Sequence, residues 1–450
     1  MRRLAFAELR HGAMTWVGVV LVAAMASLTS CLALSFLETG VREVGSFLEN
    51  AASFLTALLM FSLPGAVIVT STVADLAVGL NRAAYARWQL AGVSPGQASA
   101  VVLIQLAVAG LTGAALGFAA ATVAVPPFVR AVFSLDSLGW DRIPFVVGPL
   151  TAAVAIPLTV VVTLLGGLRA ARMAARTPPL TALREPEPEV RRLRWWRWLL
   201  LVAVAAAVWS GLAGILGAQD LRVVTSQLPL LPVYAMVLVA AAGPLIYPVV
   251  LRVWTALIPA RVSTSWYLAR HQARYHLGRS TASITPLFVG ASLLGGLMTV
   301  AATMGATMAA AGAGGNWTLE ILQVLLLIGG PVLLGAVGAA VVIFMSNRTQ
   351  AAEQALLRAS GAADGTVIAS AALQALIHVA TAALLAAIAL VTTTLIAAAG
   401  LSRFVMPVPV VDAGAAAVLI VIGLLLTTVA TTAPTLSRLH EPIMARLAGS

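Results

Sequence analysis

Ten runs of apolar residues divide this chain, at about 14–35, 52–80, 98–125, 147–168, 198–217, 229–251, 281–311, 318–346, 366–398 and 410–433. Each reaches roughly the 20 residues that a helix needs to cross the hydrocarbon core of a bilayer. A helix satisfies its own backbone hydrogen bonds, which is the condition for standing in hydrocarbon. The expected fold class is an all-α polytopic membrane protein with about 10 transmembrane helices. The longest runs exceed the bilayer thickness, so those helices tilt or protrude. Composition agrees: 10% of the 450 residues are charged and 60% are hydrophobic, against about 25% charged in soluble proteins. An ordinary soluble enzyme is excluded.

The basic residues are 27 in number, and every one is arginine. Without lysine the chain cannot carry a Walker A loop, whose lysine reaches the β- and γ-phosphates. Any nucleotide-driven work must therefore draw on a second chain. With the N-terminus inside, 22 of the 27 arginines fall in the inner joints, and only Arg42, Arg130, Arg142, Arg222 and Arg403 fall outside. The positive-inside rule then places both termini in the cytoplasm. The net charge of +11 is read as membrane anchoring, and no nucleic-acid partner is expected.

Motifs for catalysis or metal binding are missing. The single Cys31 lies in an apolar run and forms no internal disulfide. The stretch from Arg2 to Leu28-Thr29-Ser30-Cys31 resembles a lipoprotein signal, but we read it as the first membrane span. Four of the five histidines lie in basic joints, and His378 stands alone in the ninth span. No H-E-x-x-H or G-x-S-x-G pattern occurs. The expectation is a protein that is not an enzyme and has no cofactor.

Comparing the two halves of the chain points to a duplication. Leu4 to Arg10 before the first span parallels Leu268 to Arg274 before the seventh. Gly92 parallels Gly361, and Gln105 in the third span parallels Gln374 in the ninth. Pro179-Leu180-Thr181-Ala182 parallels Pro442-Ile443-Met444-Ala445. This gives a four-span repeat at 1–185, a central pair of spans at 186–263, and a second four-span repeat at 264–450. The repeats start six spans apart, so they cross the membrane in the same direction. Gln105 and Gln374 carry no charge and are expected to hydrogen-bond between helices.

Each repeat has the same inner joint between its second and third spans. A short charged stretch, Asn81 to Leu90 or Asn347 to Ala359, ends near a glycine, Gly92 or Gly361. Glycine supplies the left-handed residue that ends a helix, and the next span restarts behind a polar turn. Such a stretch is either a plain connector or a coupling helix docked in a cytosolic partner.

These joints resemble the FtsX-like permease family of ABC transporters, which includes MacB-type and bacitracin-resistance-type permeases. Glu353-Gln354-Ala355-Leu356-Leu357-Arg358-Ala359-Ser360-Gly361-Ala362 is similar to the family's segment after the second span. Arg87-Trp88-Gln89-Leu90-Ala91-Gly92 is a degenerate copy in register, and Pro179-Leu180-Thr181-Ala182-Leu183-Arg184 resembles the family's closing motif. The resemblance implies a permease subunit in a bacterial inner membrane, energised by a cytosolic ABC ATPase dimer. It implies ATPase coupling through Arg82, Arg87 and Gly92 in one joint and Arg348, Glu353, Arg358 and Gly361 in the other. The apolar interior suggests an amphipathic or hydrophobic substrate, such as a peptide, lipid or drug; the resemblance implies its export or release from the outer leaflet, with membrane lipids as surrounding partners. The large outer domain of such permeases is absent between the seventh and eighth spans, where only about Met308 to Trp317 intervenes.

Two other readings stay open at this point. A mechanical regulator of an extracytoplasmic, cell-envelope partner would use the same joints without moving a solute. An ion-driven transporter would need ionisable groups in the membrane, for which Asp75, Glu320 and Asp412 are the candidates.

Overall fold

The structure is a computed structural model that describes residues 13–43, 46–134, 144–175, 195–275, 277–312 and 321–439. The motifs at Leu4 to Arg10, Pro179 to Arg184 and Pro442 to Ala445, together with Glu320, lie outside the described residues. Among the described residues there is no β-strand, and ten helices are long and apolar enough to cross a membrane. The chain is an all-α polytopic membrane protein.

The first five helices are α1 (Ala13–Glu43), α2 (Ser46–Leu80), α3 (Arg82–Leu90), α4 (Pro95–Phe133) and α5 (Pro149–Ala175). The middle of the chain forms α6 (Trp195–Gly217), the short α7 (Leu221–Gln227) and α8 (Leu231–Ala256). Then come α9 (Thr264–Tyr275), α10 (Leu277–Ala310), α11 (Ile321–Ala359), α12 (Asp364–Leu401) and α13 (Gly414–Leu439). Two compact units arise, one from residues 1–187 with 319–338, the other from 188–318 with 339–450. The outer half of the eighth span, which the sequence assigns to the second repeat, is thus grouped with the first unit.

In the first unit α1 packs on α2, α4 and α5. Small residues let α1 and α4 approach closely: a Cβ on Gly117 would sit 2.2 Å from the Ala24 carbonyl oxygen, and one on Gly113 2.6 Å from that of Val20. These two glycines form the G-x-x-x-G spacing that brings helix backbones together in membranes. Ser27 Oγ donates to the Ala114 carbonyl at 2.9 Å across the same seam. At the end of α1 remote from α3, Phe36, Phe54, Phe133 and Phe145 pack ring on ring with centroids 5.3–6.4 Å apart. Leu326 of α11 is buried in that cluster. Cys31 is fully buried in it too, midway along an unbroken α1.

In the second unit α10 packs on α8, α12 and α13. Gly295 faces Ala416 of α13, and Gly296 faces Pro232 of α8. The α6 helix is largely exposed along its length, with Trp198, Leu199, Val202 and Trp209 about half exposed or more. An apolar, exposed, membrane-length surface is what lipid tails cover.

Candidate functional site

The two joints are built from the same turn. At the end of α3 the Gly92 amide donates to the Gln89 carbonyl at 3.1 Å, and the Val93 amide to the Trp88 carbonyl at 3.0 Å. At the end of α11 the Gly361 amide donates to the Arg358 carbonyl, and the Ala362 amide to the Leu357 carbonyl, both at 3.0 Å. This paired closure is the Schellman motif, which requires a left-handed residue just past the helix. Gly92 and Gly361 supply it, with φ of +90° and +94°. A side chain there would be strained although nothing stands within 4 Å of either position.

Beyond the turn the two joints diverge. Ser94 caps α4: its Oγ accepts from the Gln97 amide, and the Ser94 amide donates to Gln97 Oε1 at 3.0 Å. That reciprocal pair is a capping box. At the matching place in the second joint Ala363 offers no side-chain cap. Instead Arg358 Nε pairs with Asp364 Oδ1 at 2.9 Å across the turn. The acidic residue also sits in the first turn of α12, where the helix dipole favours it.

The approach to each joint differs as well. In the first, α2 stops at Leu80, and Asn81 separates it from α3. Tyr85 and Ala86 on α3 are buried, and Gln89 Nε2 donates to the last carbonyls of α5, Ala174 at 3.2 Å and Ala175 at 3.4 Å. Arg87 and Leu90 are exposed on the opposite side. In the second, no break occurs: α11 continues for 39 residues from the membrane span into the joint. The sequence suggested two equivalent short helices; the structure gives a docked separate helix and an unbroken continuation of a span. The backbones of Arg82, Arg348 and Glu353 lie in these helices, and their side chains lie outside the described residues.

Gln105 and Gln374 occupy matching places in α4 and α12 and are both buried. The expectation of interhelical bonding fails for Gln105, since neither Oε1 nor Nε2 has a partner. Close packing of α4 through Gly110, Gly113 and Gly117 against α1 and α5 buries the amide without bringing a polar group to it. Of the ionisable candidates, Asp75 of α2 pairs with Arg169 of α5 at 3.3 Å. Asp412 accepts from the Gly414 amide at 2.9 Å, ahead of α13.

Sequence reasoning missed a clamp at the other face of the membrane. Glu38, beyond the apolar run at about 14–35, lies inside α1 with its side chain 3% exposed. Its Oε2 accepts from the amides of Gly148 and Thr151, both at 2.9 Å, and Oε1 accepts from Arg42 at 2.7 Å. Gly148 and Thr151 are the cap and third residues of α5, so Glu38 supplies from another helix the oxygen that a serine cap would supply locally. A Cβ on Gly148 would fall 2.1 Å from Glu38 Oε1, which explains the glycine. Thr39 beside it accepts from the Val146 amide at 3.3 Å.

The second unit meets the same need with hydroxyls. Thr299, Thr303 and Thr307 stand one turn apart on α10, facing the extended segment before α13. Thr303 Oγ1 donates to the Val410 carbonyl at 2.8 Å and accepts from the Val410 amide at 3.3 Å. Thr307 accepts from Val408, and Thr299 donates to the Asp412 carbonyl. Thr39 with Val146 and Thr303 with Val410 make the same bond in residues 264 apart. The i, i+4, i+8 spacing of threonines in an apolar helix was a legible signal.

Among the described residues no group of His, Cys, Asp or Glu could hold a metal ion. No family model matches the chain, and no curated protein matches its sequence.

Proposed function

We propose that this chain is the membrane permease subunit of an ABC transporter of the FtsX-like kind, coupled at its two joints to a cytosolic ATPase dimer. The observation that carries the reading is the recurrence of one turn, closed by Gly92 and Gly361 ahead of α4 and α12, at matching points of the two repeats suggested by the sequence. A two-protomer ATPase needs two docking points, and one chain with two joints provides both. Exposed Arg87 and Leu90 on α3, and exposed Leu356 on α11, give each joint an apolar contact, flanked in the first by a cation. Closure of the ATPase would move α3 against α5 through Gln89, and α11 as a lever. The substrate is amphipathic or hydrophobic, consistent with the broad apolar faces of the spans, and its export or extrusion is towards the outer leaflet.

The ion-driven reading is weakened by Asp75, whose carboxylate is paired with Arg169, and by Asp412, which is engaged with the start of α13. The deciding experiment is to look in the neighbouring reading frame for a small ATPase with Walker motifs and to co-express it with this chain. ATP hydrolysis in the co-purified complex, stimulated over the ATPase alone and lost on replacing Glu353 and Arg358 together, is the expected result. Substrate flux driven by a proton gradient in ATP-free vesicles would overturn the proposal.

A further inference from the structure

We propose that Arg252, Arg270 and Arg274 form a headgroup site for an anionic phospholipid at the membrane surface where α8 ends and α10 begins. The α9 helix lies between two spans, Leu221–Ala256 and Ser280–Ala310, so it sits at one edge of the bilayer. Its buried side, Trp266, Ala269 and Ala273, holds it against the protein, with Trp266 edge-on to Trp254 of α8.

Its arginines reach back to the end of α8. Arg274 Nη2 donates to the Arg252 carbonyl at 2.9 Å and to Thr255 Oγ1 at 2.8 Å, while its Nε donates to the same hydroxyl at 3.1 Å. Arg270 Nη1 donates to the Ile258 carbonyl at 3.3 Å. Cations at a helix C-terminus meet the negative end of its dipole, and that accounts for where these donors point. It does not account for three guanidinium groups in one place with no counter-charge. Residues 245–280 contain no Asp or Glu, and among the described residues none of the three arginines meets a carboxylate. Burial, and after it the charges of Arg270 and Arg252, hold the Arg274 guanidinium below its usual value. Arg270 Nε is buried without an acceptor.

A phosphodiester meets these needs together. It brings the missing negative charge and oxygens for donors that the fold leaves unused. Basic pockets among membrane helices at the surface hold lipid headgroups in this way. The surroundings select a lipid over a free anion: Leu257 is 80% exposed and Val262 68%, with Tyr267 and Tyr275 each about half exposed. Acyl chains cover such leucine and valine, and tyrosine favours the headgroup level.

The test uses the full-length protein in phosphatidylcholine nanodiscs, with and without phosphatidylglycerol, and native mass spectrometry of the retained lipid. Wild type should retain phosphatidylglycerol over phosphatidylcholine. Arg252→Gln, whose side chain makes no hydrogen bond in the described fold, should weaken that retention about fivefold. Arg252→Gln with Arg270→Gln should weaken it further, with phosphatidylcholine binding and the melting temperature of Arg252→Gln in phosphatidylcholine unchanged. Equal phosphatidylglycerol retention in all three proteins would overturn the site. Displacement of the lipid by millimolar inorganic phosphate would overturn its assignment to a lipid. Neither readout involves the ATPase, so the result is independent of the permease reading.

Discussion

Glu38 of α1 and the threonines of α10 answer the same demand with different chemistry. In each unit an extended segment leads into a span, α5 or α13, and its amides need partners away from water. The first unit concentrates the answer in one buried carboxylate that holds Gly148, Thr151 and Arg42. The second spreads it over three hydroxyls along α10 and lets Asp412 engage the Gly414 amide locally. Charge-assisted bonds are stronger than neutral ones, but losing the charged partner leaves several groups unpaired at once. The first clamp is strong and fails as a unit. The second fails one rung at a time.

That contrast can be broken most directly at Glu38. Glu38→Ala should destabilise the protein by about 3 kcal/mol, because two helix amides and a cation lose their acceptor. Gly148→Ala should approach the same loss by displacing the carboxylate. Thr303→Val should lose less, about 2 kcal/mol, the share of its two neutral bonds to Val410. Unfolding in mixed micelles, monitored by tryptophan fluorescence, measures all three. Equal losses for Glu38→Ala and Thr303→Val would end the distinction.

The joints differ in continuity, and under the permease proposal that difference would bear on coupling. A helix of 39 residues is about 58 Å long, far longer than a bilayer core, so α11 runs on past the span into the joint with no break in the helix, and under the permease proposal it would act as a lever. The first joint is hinged at Asn81 and tied to α5 by Gln89. Paired glycines at Thr349 and Gln350 should therefore reduce ATPase stimulation about tenfold, since each costs about 1 kcal/mol of helix stability in the lever. A single glycine at Asn81, where the chain already breaks, should reduce it by less than about twofold. Similar losses at the two sites would mean that both joints act alike.

The ten spans, the matching glycines and the left-handed turns were legible because each has a local signature: apolar length, or a glycine after a charged stretch. The clamp at Glu38 was not. Nothing in the sequence around Glu38 names residues 148 and 151 as its partners; only the packing of α1 on α5 brings them together. An Asn-Arg pair stands in both joints, at Asn81-Arg82 and Asn347-Arg348, yet only the first breaks its helix. Tertiary docking of Tyr85 and Ala86 accompanies that break, and such docking leaves no local trace.

At the two glycines the units should behave alike. Gly92→Ala and Gly361→Ala each place a Cβ on a left-handed backbone with open space around it. The cost should be about 1 kcal/mol in each case, from backbone strain alone. Asparagine at either site should recover part of it. Thermal unfolding that ranks one glycine well above the other would show a contact at that joint beyond the turn itself.

The smallest effects expected are also the sharpest, because they differ in sign. Gly113 lies against Val20, Ala23 and Ala24 on a parallel helix, so Gln105, two turns earlier, is level with residues 14–16. Trp16 is there, and its Nε1–H is buried without a partner, as is the Gln105 amide. In the second unit Ser280 stands at the place matching Trp16. It donates to the Ala273 carbonyl at 2.8 Å and lies 3.1 Å from His378 Nε2; with the hydroxyl proton already used, His378 is the donor in that pair. Ser280→Ala should therefore lose about 1 kcal/mol. Gln105→Leu removes an amide that bonds to nothing and keeps nearly the same volume, so it should leave stability unchanged or raise it by up to about 1 kcal/mol. A clear loss for Gln105→Leu would show that the amide is satisfied by water held between α1 and α4, and the two cores would then be equally paired.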